Sequence, residues 1–122
     1  MLTVKNIKKS IKDKTIVDDV SFDVPLGVVN GLLGPNGAGK TTTFYIISGL
    51  LKPDHGEIIL DGQDISKLSM HERSKLGIKY LPQEPSIFQN LSVYENLLGL
   101  AEISITKKED IDKFIEKSIE FL

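Results

Sequence analysis

The sequence predicts an α/β fold that begins with an antiparallel β subdomain. The stretches "LTVKNI" and "TIVDDVSFDV" show partly alternating, β-rich patterns around a polar turn at residues 12–14, which favours a strand pair. Further along, an apolar run at Val28–Leu33 is followed by a helix-like pattern from Lys40 to about Leu51 and by the short strand-like "EIIL". Strands that alternate with helices along a chain are typical of α/β proteins.

Composition sets limits on what the chain does. It has 122 residues, no cysteine and a formal net charge of -2. The length suits one domain, and the absence of cysteine excludes disulfides and thiolate metal sites. Nothing in the charge suggests a nucleic-acid partner. We find no secretory signal and no apolar run of membrane-spanning length, so we expect a cytoplasmic location.

The first half of the chain is predicted as follows. The nearly all-apolar Val28–Leu33 is expected to be a strand buried on both faces. The helix after it would place Phe44, Ile47 and Leu51 on one side. "EIIL" is expected to end at a hairpin turn formed by Asp61-Gly62.

The second half continues the alternation. Two helices are predicted from Ser/Glu capping boxes, Ser69 with Glu72 and Ser92 with Glu95, the first ended by Gly77 and the second running to about Leu100. "IKYL" at residues 78–81 is predicted to be a strand.

The C-terminal residues have a helical pattern with an apolar face formed by Ile111, Phe114, Ile115, Ile119 and Leu122. Thr106 and Glu109 are expected to form its capping box. The chain stops at Phe121 and Leu122 with no helix stop signal, which favours a truncated chain over a docked terminal helix.

The strongest motif is Gly34-Pro-Asn-Gly-Ala-Gly-Lys-Thr41, a complete G-x-x-x-x-G-K-[ST] phosphate-binding loop. The glycines allow sharp turns, so that backbone N–H groups can surround a phosphate chain at a helix N-terminus. Lys40 would supply a mobile positive charge to the outer phosphates, and the Thr41 hydroxyl is the expected Mg²⁺ ligand. GTPases have this loop too, but the sequence lacks the N-K-x-D and D-x-x-G motifs of that class.

The surroundings of the loop resemble one family. "GLLGPNGAGKTTTFYIISGLLKPDHGEIILDGQDIS" and "LGIKYLPQEPSIFQNLSVYENL" are similar to the ATP-binding subunits of ABC transporters. The resemblance is strongest to the ATPases of lipopolysaccharide export, and ATPases of branched-chain amino-acid importers are the competing possibility. It implies the first half of a P-loop ABC ATPase core over residues 1–100 and the start of a truncated helical subdomain over residues 101–122.

The resemblance also implies a site. ATP and Mg²⁺ would be held by the loop residues and by Gln83, which would reach the Mg²⁺ and the attacking water and would sense the membrane partner. Gln83, Ile87, Phe88 and Leu91 would lie at a groove for transmembrane subunits. The full-length protein would be a homodimer with ATP sandwiched between subunits, on the inner face of the cytoplasmic membrane. The complete set of loop residues is Gly34, Pro35, Asn36, Gly37, Ala38, Gly39, Lys40, Thr41 and Thr42.

Two positions depart from the family pattern. Where the family usually stacks an aromatic ring on adenine, this chain has Ile11, and we therefore expect weaker and less base-selective ATP binding. Asn30 is polar within the expected buried strand, so it needs hydrogen-bond partners or costs about 1–3 kcal/mol.

The residues that cut ATP in this family have no counterpart in the sequence. "IILDG" has Asp61 but continues with Gly62 and is interpreted as a turn, and "ISGLL" is a poor imitation of the family signature. His55 and His71 are interpreted as exposed structural residues. We therefore expect Lys40 and Gln83 to contribute to a catalytic site that this chain does not complete. The alternative is a short natural module that binds nucleotide without turnover.

Overall fold

The computed structural model describes residues 1–121 and divides the chain into two compact units. The first is Met1–Leu81 and the second is Pro82–Leu122, of which residues 82–121 are described. The predicted subdomain boundary after residue 100 stays a prediction. The first unit contains β1 (Leu2–Ile11), β2 (Lys14–Val24), α1 (Lys40–Ser48), β3 (His55–Leu60), β4 (Gln63–Asp64) and α2 (Met70–Lys75), and the second contains α3 (Val93–Ser104) and α4 (Lys108–Glu120).

The predicted N-terminal strand pair is confirmed. β1 and β2 are antiparallel, with a register that runs from Leu2 opposite Val24 to Ile11 opposite Lys14. The connecting turn consists of Lys12 and Asp13, which have φ values of 47° and 62°. These left-handed conformations close a two-residue hairpin whose twist matches that of the strands.

The sheet of the first unit has the order β2-β1-β3-β4, and every pairing in it is antiparallel. The turn predicted at Asp61-Gly62 joins β3 to β4, with φ values of 48° and 84°. Asp61 also receives an ion pair from the N-terminal ammonium of Met1. The side of the sheet that faces α1 forms the core, whose fully buried apolar residues are Val4, Ile7, Val17, Ile46, Ile58 and Ile65.

Two predicted strands are wrong. Neither residues 28–33 nor residues 78–81 form a strand, and Val29 and Leu33 are 98% and 93% exposed. A strand buried on both faces needs neighbours on both edges, and within residues 1–121 the four strands pair only with one another. Asn30 is exposed as well, so the expected cost of a buried amide does not arise.

The buried face of α1 also differs from the prediction. Ile47 and Leu51 are half-buried against the core as expected, but Phe44 is 47% exposed, whereas Thr43 and Ile46 are buried. The prediction at position 44 considered only whether side chains are apolar. Thr43 can be buried instead because its hydroxyl donates a hydrogen bond to the Gly39 carbonyl.

The first two predicted capping boxes are confirmed. At α2 the Ser69 hydroxyl accepts from the Glu72 backbone N–H, and the Glu72 carboxylate accepts from the Ser69 backbone N–H at 2.7 Å. Ser92 and Glu95 form the same arrangement at α3, which extends four residues beyond the predicted end. The hydrogen bonds from the two serines lower the pKa of both Glu72 and Glu95, which stabilises the charged form at each helix start.

The third predicted capping box is wrong. The N-cap of α4 is Lys107, which makes no side-chain cap hydrogen bond. Because the helix begins one residue later than expected, Thr106 lies outside the cap position and Glu109 does not occupy N3. The face of α4 centres on Ile115, which is 2% exposed, while Phe114 and Ile119 remain largely exposed. Leu122, predicted on the same face, lies outside the described residues.

No helix within residues 1–121 combines the length and the apolar character needed to cross a membrane.

Candidate functional site

The glycine-rich loop leads directly into the amino end of α1. Gly37 and Gly39 have φ values of 82° and 90°, and Gly39 is the N-cap, so it offers no side chain to the first turn. Thr43 is the first residue whose backbone N–H finds an acceptor within the helix, at 2.9 Å from the Gly39 carbonyl. The earlier N–H groups of α1 have no partner within the helix, which makes this end suited to an anion.

The side chain of Lys40 folds back onto the glycine-rich loop. Its Nζ donates to the carbonyl oxygens of Gly34 at 2.6 Å and Pro35 at 2.7 Å. The ammonium therefore lies on the loop that precedes its own helix. An ammonium and several backbone donors at one place favour a ligand with several negative oxygens.

Gly39 is required because the loop packs tightly on β2. A Cβ at this position would lie 2.4 Å from the carbonyl oxygen of Ile16 and 3.3 Å from a methyl group of Val17. At Gly37, which has a similar φ, a Cβ would meet nothing within 4 Å. The close approach at Gly39 fixes the start of α1 against the sheet.

The three threonines after Lys40 have different surroundings. Thr43 is buried, and its hydroxyl donates to the Gly39 carbonyl at 2.9 Å, so its role is structural. Thr41 is exposed and Thr42 is half-buried. A hydroxyl at Thr41, in the first turn beside the loop, fits the ligand chemistry of Mg²⁺.

Ile11 lies at the far end of β1, opposite Lys14, with 44% of its surface exposed. This end of the strand is anchored by Asp54, whose carboxylate accepts from Lys9 Nζ and from the Ser10 backbone N–H, both at 2.7 Å. The hydrogen bond from Lys9, followed by the one from Ser10, holds the pKa of Asp54 below its usual value. No pattern in the sequence indicates this anchor.

Gln83 belongs to the second unit, where it is exposed in a bend. In the same unit, Ile87, Phe88 and Leu91 are 64%, 71% and 44% exposed. They form an apolar patch on one loop, which we call the 87–91 patch. An exposed apolar patch of this kind is a common feature of protein interaction sites.

Asn96 of α3 holds the 87–91 patch in place, a role that sequence reasoning missed. Its Oδ1 accepts from the Phe88 N–H at 2.8 Å, and its Nδ2 donates to the carbonyls of Phe88 at 3.1 Å and Leu91 at 3.2 Å. A side-chain amide can donate and accept hydrogen bonds at the same time. An asparagine one turn after a capping serine could therefore have indicated this contact with the preceding loop.

Two further features of the first unit were missed. Arg73 is 1% exposed, and it could have been noticed as the chain's single arginine. Tyr45 of α1 packs edge-on against Tyr80, with ring centroids 5.9 Å apart. Burial, with a smaller effect of Tyr45, raises the pKa of the Tyr80 hydroxyl.

The described residues contain no group of three or more His, Asp or Glu side chains placed to bind a metal by themselves. Mg²⁺ that accompanies a nucleotide usually keeps several waters and takes few ligands from the protein.

The sequence profile of the family described as ABC transporter matches residues 17–120. The chain belongs to the ABC transporter family. The predicted fold, a partial α/β P-loop ABC ATPase with an N-terminal antiparallel subdomain, is thereby confirmed, and the matched residues include the loop at Gly34–Thr41.

Curated relatives support the same assignment. The lipopolysaccharide export system ATP-binding protein LptB of Haemophilus influenzae is 52% identical over 96% of this chain and 51% of its own length. LptB of Escherichia coli strain K12 is also 52% identical, over 89% of this chain and 47% of its own length. The chain spans about half the length of the curated relatives it matches.

Solved structures agree in fold. An ATP-binding cassette of an ABC transporter superposes with a TM-score of 0.76 at 34% identity, covering 88% of this chain and 42% of the other. The same cassette in its ADP conformation gives a TM-score of 0.76 at 32% identity over 93% of this chain and 44% of the other.

Proposed function

We propose that this chain is the nucleotide-binding half of an ATPase subunit that powers lipopolysaccharide export. The observation that carries the proposal is the loop geometry, in which the Lys40 ammonium lies on the glycine-rich loop that leads into the free N–H groups of the first turn of α1. The 52% identity to LptB, named as a lipopolysaccharide export protein in two bacteria, supports the choice of cargo. We found no observation that favours a branched-chain amino-acid importer.

Each residue has a definite task in this proposal. The backbone from Asn36 to Thr42 surrounds the phosphates, Lys40 neutralises the outer ones, and the Thr41 hydroxyl binds Mg²⁺. Ile11 contacts the adenine. Bound ATP supplies a phosphoanhydride bond whose cleavage releases the energy for transport.

We further propose that the 122 residues bind ATP but do not hydrolyse it. The sequence has no apolar strand that ends in Asp-Glu and no family signature motif. Catalysis of phosphoryl transfer depends mainly on positioned charges, so a chain without these groups should show little turnover. The ATP-binding cassette that is 32% identical to this chain was solved in its ADP conformation, which supports nucleotide binding.

The proposed partners are a pair of transmembrane subunits and a second ATPase subunit. The 87–91 patch, with Gln83 nearby in sequence, would receive the transmembrane subunit, which would hold the protein at the inner face of the cytoplasmic membrane. The second copy would close the ATP sandwich. Support for the first contact comes from three apolar side chains held exposed on one loop.

Nucleotide binding is tested by calorimetry with Mg-ATP on the wild type, on Lys40→Ala and on the control Lys52→Ala, which removes an exposed lysine beyond α1. Charged hydrogen bonds are worth about 1.5–3 kcal/mol, so Lys40→Ala should weaken binding about 10- to 100-fold, while the control should not. A wild type that does not bind, or a control that weakens equally, would refute the proposal. Lys40-dependent phosphate release would refute the absence of hydrolysis.

The cargo system is tested with liposomes that contain purified transmembrane subunits, either of the Escherichia coli lipopolysaccharide exporter or of a branched-chain amino-acid importer. The chain should bind only the first. Phe88→Ala should weaken this binding, whereas Phe121→Ala, which truncates another exposed phenyl group of the second unit, should not. Preference for the importer subunits would overturn the assignment to export.

A further inference from the structure

The single arginine of the chain forms a buried junction in the first unit. Arg73 is 1% exposed. Its Nη1 donates to the carbonyls of Ile46 at 2.6 Å and Ile47 at 2.8 Å, its Nη2 to Ser66 at 2.9 Å, and its Nε to Leu68 at 3.0 Å. One side chain of α2 thus connects the end of α1 with the segment that follows β4.

The charge of Arg73 is compensated in an unusual way. Buried cations are normally paired with a carboxylate, but none of the ion pairs found within residues 1–121 includes Arg73. Burial lowers the pKa of Arg73, and Asp64 acts weakly in the opposite direction. Arginine stays charged in proteins. The close negative partners are therefore backbone carbonyls, two of them at the negative end of the α1 dipole.

The two ends of α1 are mechanically linked. The helix has nine residues, so it is about 13 Å long. Lys40 and the free N–H groups are at its amino end, and Arg73 holds its carboxyl end. A helix this short behaves as a rigid rod, so displacement of the last turn would tilt the first turn away from the phosphate loop.

We propose that Arg73 is a positioning residue for phosphate binding: by fixing the carboxyl end of α1, it orients the first-turn N–H groups and Lys40 toward the ligand. This inference rests on the proposed ATP binding. A lysine cannot replace Arg73, because one ammonium does not reproduce a planar fork that spans four carbonyls.

A purely structural role makes a different prediction. If Arg73 only stabilised the fold, its loss would raise the apparent dissociation constant only by the reciprocal of the folded fraction, which is close to one at a temperature where the protein is folded. A positioning role raises the dissociation constant of protein that is fully folded. Because α1 contacts phosphates rather than the base, the loss should be equal for Mg-ATP and for inorganic tripolyphosphate.

The test uses Arg73→Lys and the control Ile65→Ala, which removes a fully buried side chain from the neighbouring segment without touching α1's carbonyl contacts. Both are titrated with Mg-ATP and with tripolyphosphate at a temperature where circular dichroism shows folded protein. Arg73→Lys should raise both dissociation constants about 10-fold or more, since 1.4 kcal/mol corresponds to a factor of ten. Ile65→Ala should leave them within about twofold. Unchanged constants in Arg73→Lys, or an equal loss in both variants, would overturn the inference.

A second measurement needs no variant of Arg73. As the only arginine, it gives a single side-chain Nε–H signal in a ¹⁵N spectrum of the wild type. This signal should shift on titration with Mg-ATP, with the calorimetric dissociation constant, and in Lys40→Ala the shift should require correspondingly higher ligand concentrations. A signal that stays fixed in the wild type at saturation would refute the coupling, even if Arg73→Lys does not fold. If the wild type binds neither ligand, the proposed function fails too; if only the Arg73 results fail, nucleotide binding stands.

Discussion

Alanine substitutions at Gly37 and Gly39 of the phosphate loop can distinguish the energetic cost of backbone strain from that of steric crowding. Gly37 and Gly39 both have left-handed φ values, 82° and 90°, but only at Gly39 would a Cβ clash, at 2.4 Å from the Ile16 carbonyl oxygen. The pair Gly37→Ala and Gly39→Ala therefore forms a matched comparison. The gain from a stiffer unfolded chain is the same for both and cancels.

The expected free energies follow from these two terms. A left-handed conformation costs an alanine about 1–2 kcal/mol, and this cost applies at both positions. Crowding in a packed site adds about 1–3 kcal/mol, and only at Gly39. Apart from the gain that both variants share, these terms lower the free energy of unfolding by about 2–5 kcal/mol for Gly39→Ala and by about 1–2 kcal/mol for Gly37→Ala.

Urea denaturation followed by circular dichroism measures the difference. With a slope of about 2 kcal/mol/M, an extra 2 kcal/mol moves the midpoint of Gly39→Ala about 1 M below that of Gly37→Ala. The slopes should be equal, because both variants expose the same surface on unfolding. Equal midpoints, or a larger loss at Gly37, would show that the loop does not pack on β2 as described.

Three further predictions concern other parts of the molecule. Ile11→Tyr should tighten Mg-ATP binding about 5- to 100-fold in calorimetry, because base stacking is worth about 1–3 kcal/mol; an unchanged affinity would remove Ile11 from the base contact. The pKa of Asp54 is lowered in the folded state, so its contribution to stability is present above about pH 4 and lost as pH falls. Asp54→Asn should therefore have a lower thermal midpoint than the wild type at neutral pH, and the two should converge in acid; a constant gap would contradict this. Asn96→Ala should accelerate hydrogen exchange at the Phe88 amide about fivefold, for about 1 kcal/mol per hydrogen bond, whereas Asn90→Ala should not; equal rates would argue against the clamp.

Local signals predicted the local structure. Both Ser/Glu capping boxes and the Asp61-Gly62 turn are formed as expected, because each depends on residues within a few positions of one another. The hairpin of β1 and β2 was equally accessible, since a polar turn separates two β-rich segments. The wrong capping box at Thr106 shows the limit, because a shift of one residue in the helix start removes the pattern.

The strands that failed depend on distant partners. Val28–Leu33 is apolar enough for a buried strand, but its burial requires neighbouring strands that the sequence pattern does not identify, and the segment is exposed. Periodicity describes what one segment prefers, while pairing decides what it forms.

The site divides in a similar way. The phosphate loop was recognisable because its chemistry requires glycines, a lysine and a threonine at fixed spacing. The roles of Arg73 and Asn96 were not predicted, because both side chains bind backbone carbonyls. Every residue has a carbonyl, so the sequence does not show which of them a side chain will contact.

Because Arg73 is the only arginine, cleavage at this residue can report how often the first unit opens. A protease specific for arginine has one bond to cut, between Arg73 and Ser74, and the buried side chain cannot enter a protease pocket while the unit is closed. Where opening and closing are fast relative to cleavage, the rate of digestion gives the population of the open form. A ligand that binds only the closed unit should slow digestion in proportion to its occupancy, so a gel of two fragments, residues 1–73 and 74–122, would measure affinity without any label.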